Sequence, residues 1–294
     1  MDDQVIDAIG QKALLALLYE VSASPKPGLV DRFNSGAHDD MDFFTFMAGS
    51  ASLAGYFFDC AAEGTRYAGK EPEELFRSLR PIGIEAEHAM FEATGGVNTQ
   101  KGLVFSLGII CAAASCCLAE GGNGNADTDA ICAKAARMTR GLCSRELERM
   151  DKTGRLTHGE KLYQEYGLKG IRGEVESGFS TVRRISLPAL AKLKARKSYE
   201  LNDIIVQTLL HLMAENEDTN IVARHDPATL EHVRRYARRV LAAGGMLTSA
   251  GASMVREMDR EFIERHISPG GSADLLAVTL MLDSLNSVAV PEFP

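Results

Sequence analysis

Apolar residues recur at three- and four-residue steps along most of the chain, which is the period of an amphipathic α-helix. Near the start, for example, Val5, Ile9, Leu17 and Val21 fall on one helical face. The same pattern predicts helices over residues 5–21, 42–61, 73–79, 81–93, 98–119, 127–142, 179–193, 200–215, 227–243, 248–266 and 272–287.

Local signals for helix starts support this assignment. Thr157 and Glu160 have the spacing of a capping box, and Pro227 follows Asp226 at an expected first turn. Alternating β-branched runs are nearly absent, and the strand–helix–strand order of nucleotide-binding α/β proteins is missing. The sequence therefore predicts an all-α fold.

The longest uncharged stretch, residues 103–119, predicts a helix at the centre of that fold. A membrane span needs about 20 strongly apolar residues, whereas this run is shorter and rich in Ala, Ser, Cys and Gly. We expect it to be surrounded by other helices and infer no membrane function. Residues 120–127 suit a helix–helix loop, and no stretch has the composition of a linker, so one domain is predicted over residues 1–294.

Composition narrows the classes of function. Hydrophobic residues make up 45%, which is enough to fill a core and excludes disorder. The 32 basic and 40 acidic residues give a net charge of −8, which argues against non-specific nucleic-acid binding. A polyphosphate ligand would require basic residues to converge locally. The acidic N-terminus and six cysteines without a Cys-x-x-Cys pair favour a cytoplasmic protein with reduced thiols.

Candidate chemistry is concentrated in five polar segments between the predicted helices. In the first, residues 24–41, Pro25 and Pro27 restrict the backbone on both sides of Lys26. A restricted backbone would fix the direction of the Lys26 ammonium group. A stiff surface loop with solvated charges explains the pattern as well. The second segment, residues 94–102, combines glycines with Lys101 at a helix start, which suits either an anion site or an ordinary capped helix.

The other three segments carry glycines and oxygen ligands. Residues 167–178 have four glycines around Arg172, Glu174 and Glu176. We expect this stretch to be non-helical, either to let a ligand approach the backbone or as a simple turn. Residues 216–220 and 268–274 have the oxygen density that Mg²⁺ prefers, but helix capping explains each of them equally well. Neither a His-Glu-x-x-His nor a Gly-x-Ser-x-Gly motif occurs.

Taken together, the segments resemble the triphosphoribosyl-dephospho-CoA synthase family, and more closely its citrate lyase branch than its malonate decarboxylase relative. The matching stretches are SPKPGLVDR (24–32), GAHDDM (36–41), RPIG (80–83), GVNTQKG (96–102), LCSREL (142–147), LYQEYGLKGIRGEVESG (162–178), EDTN (217–220) and SPGGSADLL (268–276). They follow the family's order over about 250 residues of the chain.

The resemblance implies a pentosyltransferase. In this reaction ATP donates its 5-triphosphoribosyl group to the 2′-hydroxyl of 3′-dephospho-CoA, and adenine leaves. The product would pass to a phosphoribosyl-dephospho-CoA transferase and then to the acyl carrier subunit of citrate lyase. A homo-oligomer is compatible with the sequence.

The resemblance also implies roles for individual residues. It places catalytic carboxylates at Asp31, Glu87 and Glu174, without singling out the base, and Mg²⁺ beside Asp218 and Asp274. Cations in or beside the matching stretches, which include Arg224, would hold the phosphates. Substrate binding is implied for Lys26, Arg32, His38, Arg80, Asn98, Thr99, Gln100, Lys101, Arg145, Arg172, Asn220, Gly270, Gly271 and Ser272.

One position departs from the family pattern, because Gln100 stands where the family usually has histidine. An amide does not titrate near neutral pH, so we expect Gln100 to bind substrate rather than to transfer a proton. The departure also keeps a catalytically idle nucleotide-binding homologue open as an alternative. A second alternative is an N-glycosidase that releases adenine from ATP without any acceptor.

Overall fold

The computed structural model describes residues 3–121, 127–148 and 156–286. Every regular element within these ranges is helical and none is a strand, so the prediction of an all-α fold is confirmed. Residues 122–126 of the predicted 120–127 loop, and residue 287 at the end of the last predicted helix, lie outside the described residues.

The helices are numbered in chain order: α1 Asp3–Ser22, α2 Phe43–Ser52, α3 Ala54–Arg66, α4 Pro72–Ala93, α5 Lys101–Ala119, α6 Thr128–Met138, α7 His158–Tyr166, α8 Gly170–Glu176, α9 Leu187–Lys194, α10 Leu201–Glu215, α11 Thr219–Arg224, α12 Pro227–Ala242, α13 Ser249–Glu264 and α14 Gly270–Leu285. Short π-helical turns span Ser144–Glu148 and Val182–Ser186, and a 3₁₀ turn spans Gly245–Leu247.

Helix α5 lies at the centre of the core, with α1, α3, α4, α6 and α14 packed around it. Its length and mean hydropathy of 2.2 would suffice to cross a membrane, but 78% of its apolar window is buried inside the fold. Its middle consists of small residues, which allow neighbouring helices to approach closely. The prediction of a buried central helix is confirmed.

The predicted helix starts are confirmed at two positions. Thr157 and Glu160 form a reciprocal capping box at the start of α7. Asp226 accepts a hydrogen bond from the backbone N–H of Thr229 at 2.6 Å, and Pro227 occupies the first turn of α12. In both places the local sequence is sufficient to set the helix boundary, because the orphan N–H groups are satisfied within a few residues.

Helix α4 corrects the prediction of separate helices over residues 73–79 and 81–93, because it continues through Pro81. A proline inside a helix removes one hydrogen bond and crowds the preceding turn, at a cost of about 3 kcal/mol. Leu79 before the proline, and Ala86 and Met90 after it, are all buried. Hydrophobic contacts on both sides of Pro81 therefore hold the two halves in one helix.

Two further predictions were wrong for reasons of packing. The helix predicted over residues 42–61 is divided into α2 and α3 at Leu53, which is completely buried where the chain turns. The turn lets α2 pack against α4 while α3 lies along α5. The stretch 167–178, expected to be non-helical, contains α8, because burial of Val175 outweighs the low helix propensity of its glycines.

All six cysteines are free thiols, as the sequence predicts, and all but Cys117 are buried. Burial raises the pKa of Cys60 and of Cys132 to about 12, so these thiols stay protonated. They behave as small apolar residues of the core.

The contact between α3 and α5 requires a glycine, and this requirement can be tested. A Cβ on Gly64 would lie 2.2 Å from the carbonyl oxygen of Ala112, so we expect Gly64→Ala to destabilise the fold by about 2–3 kcal/mol. Gly55 in the same helix faces open space, and Gly55→Ala should stabilise it by roughly 0.5–1 kcal/mol. Urea unfolding of both variants measures the difference, and equal free energies of unfolding would contradict the packing described.

Candidate active site

One cavity of about 960 Å³ opens between α1, α5, α8, α11 and α14. All five polar segments contribute to its wall, although they are far apart in the sequence. The contributions are Lys26 and His38; Asn98, Thr99 and Lys101; Arg172 and Glu174; Glu217 and Asn220; and Gly270, Gly271 and Asp274.

The loop over residues 24–41 is folded around the carboxylate of Asp31. Its Oδ2 accepts a hydrogen bond from the backbone N–H of Lys26 at 3.1 Å. Its Oδ1 accepts from the backbone N–H groups of Phe33 at 2.7 Å and Asn34 at 3.2 Å. Asp31 is buried and lies outside the cavity wall, so in this structure it orders the loop that carries Lys26.

The same loop is tied to the far end of the chain. Asp259 of α13 accepts a hydrogen bond from the backbone N–H of Gly28 at 3.0 Å, and burial raises the pKa of Asp259 to about 6. Gly28 has a φ of 70°, and a Cβ there would lie 2.1 Å from the carbonyl oxygen of Ile267. Only glycine fits this crossing of two backbones.

Lys26 reaches the cavity floor but does not offer a free charge there. Its side chain is only 1% exposed, and its ammonium group forms an ion pair with the carboxylate of Glu20 on α1. Burial raises the pKa of Glu20, and the neighbouring ammonium group of Lys26 opposes that shift. A buried pair of this kind is costly to break, because the remaining charge would be left without compensation.

A second ion pair lies where α5 begins. The ammonium group of Lys101 lies 2.7 Å from a carboxylate oxygen of Glu87 on α4. Asn98 caps the start of α5 by accepting a hydrogen bond from the backbone N–H of Lys101 at 3.1 Å. Lys101, Glu87 and Asn98 all line the cavity.

Gln100, immediately before α5, is buried and is not part of the cavity wall. Its amide Nε2 donates to Oγ of Ser50 on α2 at 2.8 Å. Its Oε1 and the Oγ1 of Thr99 are buried without a hydrogen-bond partner among the described residues. A Cβ on Gly49 would come within 2.7 Å of Oγ1 of Thr99, so a glycine at position 49 makes room for both oxygens.

A third ion-pair system fixes Arg172 of α8. Its Nε donates to Oε2 of Glu146 at 2.8 Å, and Glu146 also pairs with Arg80 of α4. Arg80 and Arg145 do not line the cavity. Arg145 is exposed and donates to the backbone carbonyl of Arg140 at 2.7 Å.

Glu174 follows Arg172 by two residues on α8, and its carboxylate faces the segment that comes after the helix. It accepts hydrogen bonds from the backbone N–H of Thr181 at 3.2 Å and from the hydroxyl of the same residue. Burial raises the pKa of Glu174, and these hydrogen bonds partly oppose the rise. A cavity-lining carboxyl group with a raised pKa is suited to exchange a proton near neutral pH.

His38 stands between the cavity and the neighbouring surface. Its Nε2 lies 2.9 Å from Oγ of Ser268, and its Nδ1 lies 3.5 Å from the guanidinium group of Arg224. Burial and the positive charge of Arg224 lower the pKa of His38, which favours the neutral imidazole.

The N-terminus of α14 is fixed by Asp218, the residue that also caps α11. Its two oxygens accept hydrogen bonds from the backbone N–H groups of Asn220, Gly271 and Ser272, and from the hydroxyl of Ser272 at 2.9 Å. Burial raises the pKa of Asp218 while these four hydrogen bonds favour its charged form. Both oxygens are thereby occupied, and Asp218 does not line the cavity.

Asp274 differs from Asp218 because its carboxylate faces the cavity and has no hydrogen-bond partner within the described ranges. It lies just after the first turn of α14, against Gly102 of α5, where a Cβ would lie 2.0 Å from Oδ2 of Asp274. Burial and the nearby acidic groups of Glu20 and Asp218 raise its pKa well above the usual range. A cation arriving in the cavity would therefore be stabilised beside Asp274.

The sequence-predicted residues divide into two groups by position. Those that line the cavity are Lys26, His38, Glu87, Asn98, Thr99, Lys101, Arg172, Glu174, Asn220, Arg224, Gly270, Gly271 and Asp274. Those that lie outside its wall are Asp31, Arg32, Arg80, Gln100, Arg145, Asp218 and Ser272. Arg32 is exposed, with Asn202 as its hydrogen-bond partner at 3.3 Å, and Ser272 packs beneath the wall against Asp218.

Sequence reasoning missed several cavity residues. Glu20 belongs to a regular amphipathic helix, and Arg184 to an apolar-periodic stretch, so neither stands out from the pattern. Lys169 lies inside the glycine-rich segment, where its charge is a weak signal. Only the tertiary fold brings these side chains to the cavity.

The profile of the ATP:dephospho-CoA triphosphoribosyl transferase family matches residues 6–292. The 2-(5″-triphosphoribosyl)-3′-dephosphocoenzyme-A synthase of Klebsiella pneumoniae is 42% identical over 288 residues, which are 98% of this chain and 93% of the relative. The chain belongs to the triphosphoribosyl-dephospho-CoA synthase family. The synthase of the same name from Escherichia fergusonii is also 42% identical, over 91% of this chain and 87% of the relative. No solved structure matches the chain.

Family membership confirms the resemblance drawn from the eight stretches, and it extends that resemblance to nearly the whole chain.

Asp218 offers a test of how the cavity wall is built. Asp218→Asn would turn an N–H₂ group toward backbone donors, so we expect a loss of about 1–3 kcal/mol in the free energy of unfolding. Asp226, the exposed cap of α12, is the matched control, because asparagine caps helices as well as aspartate does and Asp226→Asn should cost less than about 0.5 kcal/mol. Chemical denaturation compares the two, and a loss at position 218 no larger than at position 226 would contradict the assignment.

Proposed function

We propose that the chain transfers the 5-triphosphoribosyl group of ATP to the 2′-hydroxyl of 3′-dephospho-CoA, with release of adenine. The observation that carries this proposal is the single cavity in which all five family-matching polar segments meet. Both cations and carboxyl groups line its wall, which suits a substrate that combines phosphate charge with a reacting sugar. The stretch 162–178, which matches the citrate lyase branch, supplies much of one side.

The reaction sets clear demands on the cavity. The bond between C1″ of the ATP ribose and N9 of adenine breaks through a state with positive charge on the sugar, as in glycoside cleavage. The acceptor oxygen forms the new bond to C1″ and loses its proton, while adenine leaves with the bonding electron pair and gains a proton. No water is consumed, so the site must exclude water to prevent simple hydrolysis of ATP.

Two cavity-lining carboxyl groups meet these demands. Glu87, paired with Lys101 at 2.7 Å, places negative charge beside the developing positive charge of the sugar. Glu174, whose pKa burial raises, is the proton donor to the departing adenine. Asp31, which accepts three backbone hydrogen bonds, keeps the Lys26 loop in place.

Mg²⁺ enters with ATP as part of the substrate, and the donor set of the cavity fits it. Mg²⁺ is usually held by one or two carboxylates together with phosphate oxygens, and Asp274 offers a cavity-facing carboxylate that has no hydrogen bond in the described part of the chain. No cluster of three metal-binding side chains occurs among the described residues. When bound, Mg²⁺ neutralises phosphate charge, and Asp218 keeps the first turn of α14 in position for it.

The proposal extends to the partners of the reaction. The product would pass to a phosphoribosyl-dephospho-CoA transferase and then to the acyl carrier subunit of citrate lyase, which places the enzyme in the cytoplasm. The single-domain organisation and the homo-oligomeric state stay predictions.

Adenine release tests the proposal against its alternatives. The protein is incubated with MgATP alone and then with 3′-dephospho-CoA added, with chromatography for adenine and mass spectrometry for the adduct. We expect adenine only when the acceptor is present, in a one-to-one ratio with triphosphoribosyl-dephospho-CoA. Adenine from ATP alone would show an N-glycosidase, and a silent protein that Gln100→His activates would show an idle homologue; either result overturns the proposal.

The pH dependence of the rate tests the role of Glu174. A protonated Glu174 is needed to protonate adenine, so kcat/KM should fall as the pH rises through the raised pKa of this group. Glu174→Gln should lower kcat by about 10²–10⁴-fold and remove that descending limb.

Glu176 on the same helix is the matched control. It accepts a hydrogen bond from the backbone N–H of Cys143 at 3.3 Å and does not line the cavity. Glu176→Gln should keep the descending limb and change kcat by less than about tenfold. Equal losses in the two variants, or a descending limb that survives in Glu174→Gln, would contradict the assignment.

A further inference from the structure

The cations that line the cavity fall into two groups according to whether a carboxylate neutralises them. The paired group consists of Lys26 with Glu20, Lys101 with Glu87, Arg172 with Glu146, and Arg234 with Glu231. A phosphate that approaches one of these cations also meets the negative charge of its partner. The pairs therefore contribute little net positive charge to the cavity.

The second group consists of Lys169, Arg184 and Arg224, which line the cavity without a carboxylate oxygen within 4.0 Å in the described part of the chain. Among the described residues, Arg224 has only the imidazole of His38 at 3.5 Å as a polar contact. All three side chains are exposed at the rim, so their charges are hydrated and open to an incoming anion. None of the three needs to break an ion pair in order to bind a ligand.

These three cations are carried by the segments at and around α8 and α11, which meet at the cavity. Lys169 immediately precedes α8 and Arg224 ends α11, and the two helices touch where a Cβ on Gly170 would lie 3.0 Å from Oγ1 of Thr219. Arg184 lies in the π-helical turn that follows α8, close enough to Glu174 to oppose the rise in the pKa of that carboxyl group. The hydroxyl-bearing side chains of Ser180 and Thr219, in the same segments, also line the cavity.

We propose that Lys169, Arg184 and Arg224 form the subsite that binds the triphosphate chain of the nucleotide. This inference rests on the proposed function for the identity of the ligand, and it deepens that function by dividing the cavity in two. The unpaired cations on the side of α8 and α11 hold the polyphosphate. The Lys101–Glu87 pair, which joins α5 to α4 on the other side, faces the sugar.

The division follows from what each side offers a ligand. Charge-assisted hydrogen bonds to phosphate are strong when the cation is not already engaged, and an arginine fork can contact two phosphate oxygens at once. Glu174 lies between the two sides, next to Arg184. A triphosphate on Arg184 would therefore leave the adjoining ribose within reach of that carboxyl group.

Isothermal titration calorimetry with inorganic triphosphate tests the subsite without any turnover. We expect Lys169→Gln, Arg184→Gln and Arg224→Gln each to weaken triphosphate binding by about tenfold or more, which corresponds to about 1.4 kcal/mol. Adenosine, which carries no phosphate, should bind the variants and the unmodified protein alike. Thermal unfolding of each variant shows whether its fold is intact.

Arg183 provides the matched control. It is the neighbour of Arg184 in the sequence, pairs with Asp129 at 2.9 Å and does not line the cavity. Arg183→Gln should leave triphosphate affinity within about twofold of the unmodified protein, a difference of roughly 0.4 kcal/mol. The proposal is overturned if Arg183→Gln loses as much affinity as Arg184→Gln, or if only Lys101→Gln and Arg172→Gln lose affinity.

The two proposals fail in distinguishable ways. If the protein binds inorganic triphosphate through these three residues but releases no adenine, the subsite stands and the transferase assignment falls. If adenine release requires the acceptor but the three variants bind triphosphate normally, the transferase assignment stands and the subsite is wrong.

Discussion

The buried ion pair between Lys26 and Glu20 is the interaction on which the cavity depends. An ammonium group that is 1% exposed cannot stay charged without a partner, and Glu20 supplies that partner from the last turns of α1. Because α1 packs on α3, α5 and α14, the pair connects the proline-flanked loop to the core. The loop, in turn, brings Lys26 and His38 to the wall of the cavity.

The polar N-terminal ends of the central helices α5 and α14 form part of the site. Gly102 in the first turn of α5 lies directly against the carboxylate of Asp274, just after the first turn of α14. Asp218 fixes the first turn of α14 with three hydrogen bonds, and its fourth caps α11. The apolar middles of α5 and α14 fill the core, so their N-termini have little freedom to move. The proposed transfer through a positively charged sugar would need such support, since the reacting groups must be placed before the bond breaks.

The helical fold and its central helix could be predicted because both rest on local periodicity and on the absence of charge over residues 103–119. The break at Leu53, the continuous helix through Pro81 and helix α8 could not, because burial against distant residues decides each of them. For the site, the motifs located all five segments that line the cavity. They did not separate residues that face the cavity from those that support it, as Asp218 and Asp31 show. That distinction depends on hydrogen bonds between segments, and it has no signature within any one of them.

The position of bound ATP in a crystal structure of the complex, grown without the acceptor, tests the account most directly. The account predicts the triphosphate against Lys169, Arg184 and Arg224, and the ribose between Glu87 and Glu174, with the N-glycosidic bond intact. ATP bound outside this cavity, or bound within it with its triphosphate on Lys101 and its base at the α8 side, would contradict the account.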